Sequence, residues 1–202
     1  RPTTVGGRCC ADLCRLLLYH SGTVISESIL NGKKVRLRPM DERDLPLFVE
    51  WLADGEVTQW LAEMASPPTL DEEYEWYERR RSDPDSLMWA IETLDGRMVG
   101  STELRLEPAR RKAEFGIVIG EKAQWSAGLG TDTVRLVVGY AFGELELNRV
   151  ELTTAEENTR AIRCYEKVGF VREGLKRQDR ILDGRFGNTL VMGLLREEWE
   201  RS

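Results

Sequence analysis

Glu114-Phe-Gly-Ile-Val-Ile-Gly-Glu-Lys-Ala-Gln-Trp-Ser-Ala-Gly-Leu-Gly-Thr131 decides how this chain is read. An apolar run ends, a short polar and glycine-rich turn follows, and amphipathic helical spacing begins at once. Gly128 and Gly130 carry no Cβ to keep another molecule away from the backbone. Free N–H groups at a helix start, aided by the helix dipole, favour an anionic group such as phosphate. Spacing then excludes two common phosphate loops. No Lys follows Gly130, as Gly-x-x-x-x-Gly-Lys-Ser/Thr requires. Thr133 stands where Gly-x-Gly-x-x-Gly needs its third glycine.

A second segment, Asn158-Thr-Arg-Ala-Ile-Arg-Cys-Tyr-Glu-Lys-Val-Gly-Phe170, begins about thirty residues on. It reads as a helix capped by Asn158 and ended by Gly169, with Ala161, Ile162, Tyr165 and Val168 on one face. The two segments resemble the two hallmarks of the GNAT acetyltransferase superfamily. The first, Trp125-Ser-Ala-Gly-Leu-Gly130, resembles its pyrophosphate loop, usually Gln/Arg-x-x-Gly-x-Gly/Ala. Trp125 replaces the usual Gln or Arg, which removes a side-chain donor and leaves phosphate binding to lean on the backbone. The second resembles Asn-x-x-Ala-x-x-x-Tyr-x-Lys-x-Gly-Phe at every one of those positions.

The likeness extends over about residues 33–196. It implies an α/β fold: a mixed, mostly antiparallel sheet, partly splayed, with helices on both faces. It also implies acetyl-CoA as acyl donor and direct transfer of the acetyl group to an amine. The backbone of Ile117, Val118 and Ile119 would splay from its neighbour and pair with the pantetheine amides, as an added strand would. Trp125, Ser126, Ala127, Gly128, Leu129, Gly130 and Thr131 would hold the pyrophosphate. Asn158 would reach the pantetheine arm. Tyr165 would deliver a proton or hydrogen bond to the departing thiolate, since unperturbed thiol and phenol differ by only about 1.5 pKa units. The attacking amine must itself lose a proton, and a carboxylate at the mouth of the splayed strands would accept it. Glu114 is the first candidate and Glu103 the second; either could instead bind a cationic substrate.

Composition sets the outer bounds. A chain of 202 residues with 41% hydrophobic content can bury one good core. A net charge of −6 repels phosphate backbones, which argues against nucleic acid as a partner and suits a cationic substrate. No apolar run approaches the roughly 18–20 residues that span a bilayer, and Arg15 interrupts the nearest candidate for a signal core. The expected setting is the cytoplasm. Cys10, Cys14 and His20 match no common zinc spacing, so no metal is expected. Cys164 reads as packing rather than as a nucleophile.

Along the chain, residues 1–32 fit no element of the likeness and read as an N-terminal extension: disordered, vector-derived or a small added helix. Residues 33–202 read as one domain in the order β-α-α-β-β-β-α-β-α-β-β. Val35, Leu37 and Pro39 open the first strand; Leu45 to Leu52 form a helix after Asp41 and Asp44; Thr69 caps another through Arg80. Asp95-Gly96 turns a hairpin between Leu87–Ile91 and Met98–Leu104. Two late strands close the sheet around Asp183-Gly184. Residues 55–68, with Met64 and Pro67-Pro68, are less regular, and Trp51, Trp60, Trp76 and Trp89 are the aromatics from which a pocket wall could come.

The acceptor is left open among three readings. Val35-Arg-Leu-Arg-Pro-Met-Asp-Glu-Arg-Asp-Leu45 and Arg111-Lys-Ala-Glu-Phe115 resemble the branch holding ribosomal-protein N-terminal and spermidine acetyltransferases. Glu50-Trp-Leu52 and Arg160-Ala-Ile-Arg-Cys-Tyr-Glu-Lys167 resemble the aminoglycoside 6′-N-acetyltransferases. A small cationic amine, a polyamine or aminosugar, is the leading reading. A protein N-terminus is the second, and a non-catalytic acyl-CoA-binding module is the third. Many members of the superfamily dimerise, which leaves a homodimer open.

Overall fold

The fold is given by a computed structural model, which describes residues 28–61, 66–182 and 184–201. Cys9, Cys10, Cys14, His20, Met64 and Asp183 lie outside the described residues, as does most of the stretch read as an extension. Among the described residues the strands are β1 (Leu30–Asn31), β2 (Val35–Pro39), β3 (Ser86–Thr93), β4 (Met98–Glu107), β5 (Lys112–Ile119), β6 (Arg149–Ala155), β7 (Val171–Leu182) and β8 (Arg185–Leu195). They form one sheet in the order β1-β2-β3-β4-β5-β6-β8-β7. The helices are α1 (Leu45–Leu52), α2 (Gly55–Thr58), α3 (Leu70–Arg81), α4 (Leu129–Gly143), α5 (Thr159–Glu166) and α6 (Arg196–Trp199). The element order read from the sequence is present, with β1 and the short helices α2 and α6 added. Leu30 and Asn31, which fall in the stretch read as an extension, pair with Leu37 and Arg36.

Local chemistry sets the helix starts. Before α1, the Asp41 carboxylate accepts from the Arg43 amide at 3.0 Å, and Asp44 accepts from the Asp41 amide at 2.8 Å. At α3 the Glu72 carboxylate accepts from the Thr69 amide at 2.8 Å while the Thr69 hydroxyl accepts from the Glu72 amide. Asp71, Glu72 and Glu73 fill the first turn of α3 and Arg79, Arg80 and Arg81 the last, in line with the helix dipole.

Helices cover both faces of the sheet. On one face Val134, Val137, Val138 and Ala141 of α4, with Ile162 and Tyr165 of α5, pack on Val35, Leu37, Trp89 and Leu104. On the other, Leu45, Phe48 and Trp51 of α1 and Tyr77 of α3 pack on Met88, with Val118 and Trp125 at the margin. Because both faces are covered, β3 is buried from Ser86 to Glu92. The alternation of Leu87, Trp89 and Ile91 therefore marks only one of two buried faces. Arg38 ties this layering together. It donates to both oxygens of Asp44 at 2.7 Å and to Glu92 at 2.7 Å, linking β2, the start of α1 and β3.

One junction breaks the pattern. Every strand pair is antiparallel except β5 with β6, which run parallel through the crossover helix α4. That parallel pairing covers only Lys112↔Arg149, Ala113↔Val150 and Glu114↔Glu151. Past Glu114, β5 stays with β4 and β6 stays with β8, and the sheet opens into a fork.

Candidate active site

The fork holds a cavity of about 580 Å³, within the range of small-molecule and cofactor sites. Its walls are β5 from Glu114 to Ile119, the turn into α4, the start of α5 with Cys164 and Tyr165, and, from the opposite face, Val57, Trp60 and Leu61. Of the residues selected from sequence, Glu103, Glu114, Ile117, Val118, Ile119, Trp125, Ser126, Gly128, Leu129, Gly130, Thr131, Asn158 and Tyr165 all line it. Ala127 does not. Its carbonyl turns away and accepts from the Lys34 ammonium at 2.6 Å.

The vertex of the fork is clamped by charge. Lys112 donates to Glu151 at 2.6 Å and pairs with Glu107 at 2.9 Å. Arg149 reaches Glu151 at 2.8 Å and Glu173 at 2.5 Å. Burial pushes the Glu151 carboxyl up, but its bonds to Lys112 and Arg149 outweigh that and leave it below its ordinary value. Four side chains from β5, β6 and β7 thus pin the end where the strands still pair.

The phosphate-type turn is built as its sequence suggests. Gly128 caps α4 with φ +87°, a left-handed conformation that suits glycine, and no side chain caps the helix start. A Cβ on Gly130 would meet only the Cys164 sulfur at 3.6 Å, an ordinary contact, so internal packing does not require glycine there. The space it keeps open belongs to the cavity. The Thr131 hydroxyl donates to the Cys164 sulfur at 3.4 Å, joining α4 to α5. Burial pushes the Cys164 thiol up, which suits packing rather than nucleophilic attack.

Trp125 behaves unlike the residue it replaces. Its indole N–H donates to the Ile119 carbonyl at 2.7 Å, closing off the end of β5. Its ring carries the Arg160 guanidinium 3.7 Å from the centroid. Burial lowers the Arg160 pKa from its ordinary value, with Glu56 opposing. Arg160, Arg163, Lys167 and Arg180, all lining the cavity, were not selected from the sequence. The side-chain donor missing at Trp125 was the sequence signal that could have prompted a search for them. Of the tryptophans, Trp60 lines the cavity, whereas Trp51 and Trp89 are core.

Tyr165 sits inside the fork, edge-on to Phe115 with ring centroids 6.3 Å apart and tilted against Phe170 at 6.0 Å. Burial, with Cys164 adding to it, pushes its phenol well above the ordinary tyrosine value. The near match of phenol and thiol used above therefore widens. A phenol so buried holds its proton more firmly than a free one. Asn158 spends its side-chain carbonyl on the Ala161 amide at 3.2 Å, the capping role expected of it, and the residue lines the cavity.

Both candidate carboxylates already have partners. Glu114 pairs with Arg105 at 2.7 Å, and both side chains are more than a third exposed. Glu103 accepts from the Ser86 hydroxyl at 2.9 Å and pairs with Arg80 at 3.5 Å. A proton acceptor at either position must work beside an arginine.

Comparison with known proteins places this geometry. The family description "Acetyltransferase (GNAT) domain" matches residues 34–171. The aminoglycoside N(6′)-acetyltransferase type 1 of Klebsiella pneumoniae is 31% identical over 157 residues, covering 71% of this chain and 77% of that protein. The putative ribosomal N-acetyltransferase YdaF of Bacillus subtilis is 28% identical over 176 residues, covering 84% and 95%. The crystal structure of spermidine N-acetyltransferase from Vibrio cholerae, in complex with CoA and spermine, superposes with a TM-score of 0.77 at 24% identity, covering 82% and 98%. The chain belongs to the GNAT acetyltransferase family, and its open mixed sheet is the GNAT fold. It is an N-acetyltransferase.

Proposed function

We propose that the protein transfers an acetyl group from acetyl-CoA to the primary amine of a small cationic molecule, a polyamine or an aminosugar. The observation that carries this reading is the fork: a stretch of β5 without a partner on its β6 side leads from a buried phenol to an uncapped helix N-terminus within one cavity. A long donor with amides along its arm and a diphosphate at one end fits that layout. The free edge of β5 would pair with the amides, and the amides at the start of α4 would meet the diphosphate.

Holding donor and amine together makes the encounter effectively intramolecular, the largest contribution the protein offers. The amine nitrogen attacks the thioester carbonyl, the C–S bond breaks, and Tyr165 holds the departing thiolate with its phenolic hydrogen. The proton lost from nitrogen goes to Glu114, directly or through water, with Glu103 the alternative. A cationic acceptor is supported by these two carboxylates on the cavity wall, by the net charge of −6, and by the aminoglycoside enzyme among the relatives. An incoming ammonium would compete with Arg105 for Glu114.

A thiol-release assay with acetyl-CoA and a panel of spermidine, kanamycin and ribosomal N-terminal peptides tests the reading. Turnover of spermidine or kanamycin is expected. Turnover of peptides alone would replace the small amine with a protein N-terminus. Absence of any heat on titrating acetyl-CoA into the protein would remove the donor.

A further inference from the structure

The side chain at position 125 supplies no donor to the cavity, because its N–H is committed to Ile119. The ring face does something else: it fixes Arg160, which projects from the first turn of α5. Arg160 has no hydrogen bond or ion pair to any acceptor among the described residues. The nearest acidic influence on it, Glu56, is taken by Lys122 at 2.8 Å. A guanidinium with five unspent N–H groups, immobilised on an indole beside an uncapped helix start, is built to meet an anion. Its neighbours on that wall include Arg163 and Lys167, and no acidic residue lines the cavity between Gln124 and Thr131 or between Asn158 and Lys167.

We propose that Arg160, seated on Trp125, binds the diphosphate of the acyl donor and replaces the side-chain donor that the turn into α4 lacks. This rests on the donor reading above and adds to it a residue from a different helix. Trp125 is then the platform and Arg160 the clamp: stacking leaves the flat guanidinium edge free to give two parallel N–H···O bonds. The anion would lie between two positive ends, the start of α4 and the guanidinium on α5.

The test compares three donors on wild type and variants: acetyl-CoA, 3′-dephospho-acetyl-CoA, and acetyl-pantetheine, which has no phosphate. Arg160→Ala is expected to raise KM for acetyl-CoA by about ten- to a hundredfold, the scale of a lost charged hydrogen bond, with kcat little changed. The same loss is expected with the 3′-dephospho donor and none with acetyl-pantetheine. Trp125→Ala should reproduce much of the loss, and Trp125→Phe, which keeps a ring face, less of it. Arg160→Lys, a charge without the fork, should fall between wild type and Arg160→Ala. A penalty equal for all three donors would make Arg160 structural and overturn the proposal. A penalty that vanishes on removing the 3′-phosphate would overturn the diphosphate assignment. Calorimetry separates the two levels of the argument: wild type that binds CoA while Arg160→Ala binds it equally well removes the clamp alone, whereas wild type that binds no CoA removes the donor reading beneath it.

Discussion

At the scale of single residues, two side chains carry opposite demands. In the proposed reaction Tyr165 keeps its hydrogen, and burial pushes its phenol in that direction. Tyr165→Phe retains the ring packing against Phe115 and Phe170 and removes only the donor. We expect kcat to drop on the order of a hundredfold, with residual activity and an unchanged melting temperature, since a thiolate leaves tolerably without help. The alkaline side of the pH–rate profile should not move, because the phenol titrates above that range. In the same proposal Glu114 gives up its pairing with Arg105 or shares it. Glu114→Gln should lower kcat/KM by about 10²-fold, with the loss in kcat. A loss confined to KM would make it a substrate anchor. That Tyr165 and Asn158 would line one cavity was legible because one helix carries the whole motif in fixed spacing. Arg160 was not, because its place depends on a ring that comes to it from another part of the chain.

At the scale of elements, the caps were the most readable features. Asp41, Asp44 and Thr69 announce their helices by chemistry that needs only neighbours in sequence. The register of β5 against β6 needs the whole fold, and no local pattern shows that pairing stops at Glu114. β1 escaped notice for a related reason, since two residues offer no periodicity and owe their place to β2. Where β5 ends, Gly120 lies directly under Trp51 of α1, and a Cβ there would come within 2.0 Å of the indole. Gly120→Ala should therefore push α1 off the sheet and cost about 1–3 kcal/mol, read as a lower urea midpoint. It should also impair activity, because the displaced turn leads straight into the phosphate-type loop. A variant as stable as wild type would show that α1 shifts freely, contrary to the packing described.

At the scale of the whole molecule, carboxylates joining different strands govern the response to acid. Burial pushes Glu92 up, but Arg36 and Arg38 outweigh it and hold the carboxyl below its ordinary value. Glu151 behaves likewise, and Arg149 holds Glu173 down against a smaller effect of burial. Below the ordinary carboxylate range the unfolded chain therefore binds more protons than the folded one. These contributions are present above that range and are lost as pH falls toward the lower folded values. Glu73, which burial pushes up, acts in the opposite sense. Urea midpoints measured from about pH 6 down to about pH 3 should decline, and Glu92→Gln should begin lower and decline less steeply. An identical slope in that variant would exclude Glu92 from the acid response.

The clamp of Lys112, Arg149, Glu151 and Glu173 also bears on speed. A slot whose gauge is set during folding requires no ordering of chain when a guest arrives, so the entropic cost of shaping it falls outside the catalytic cycle. On the proposed reading, spent thiol would then leave by the route the fresh thioester took, without the slot having to be reshaped.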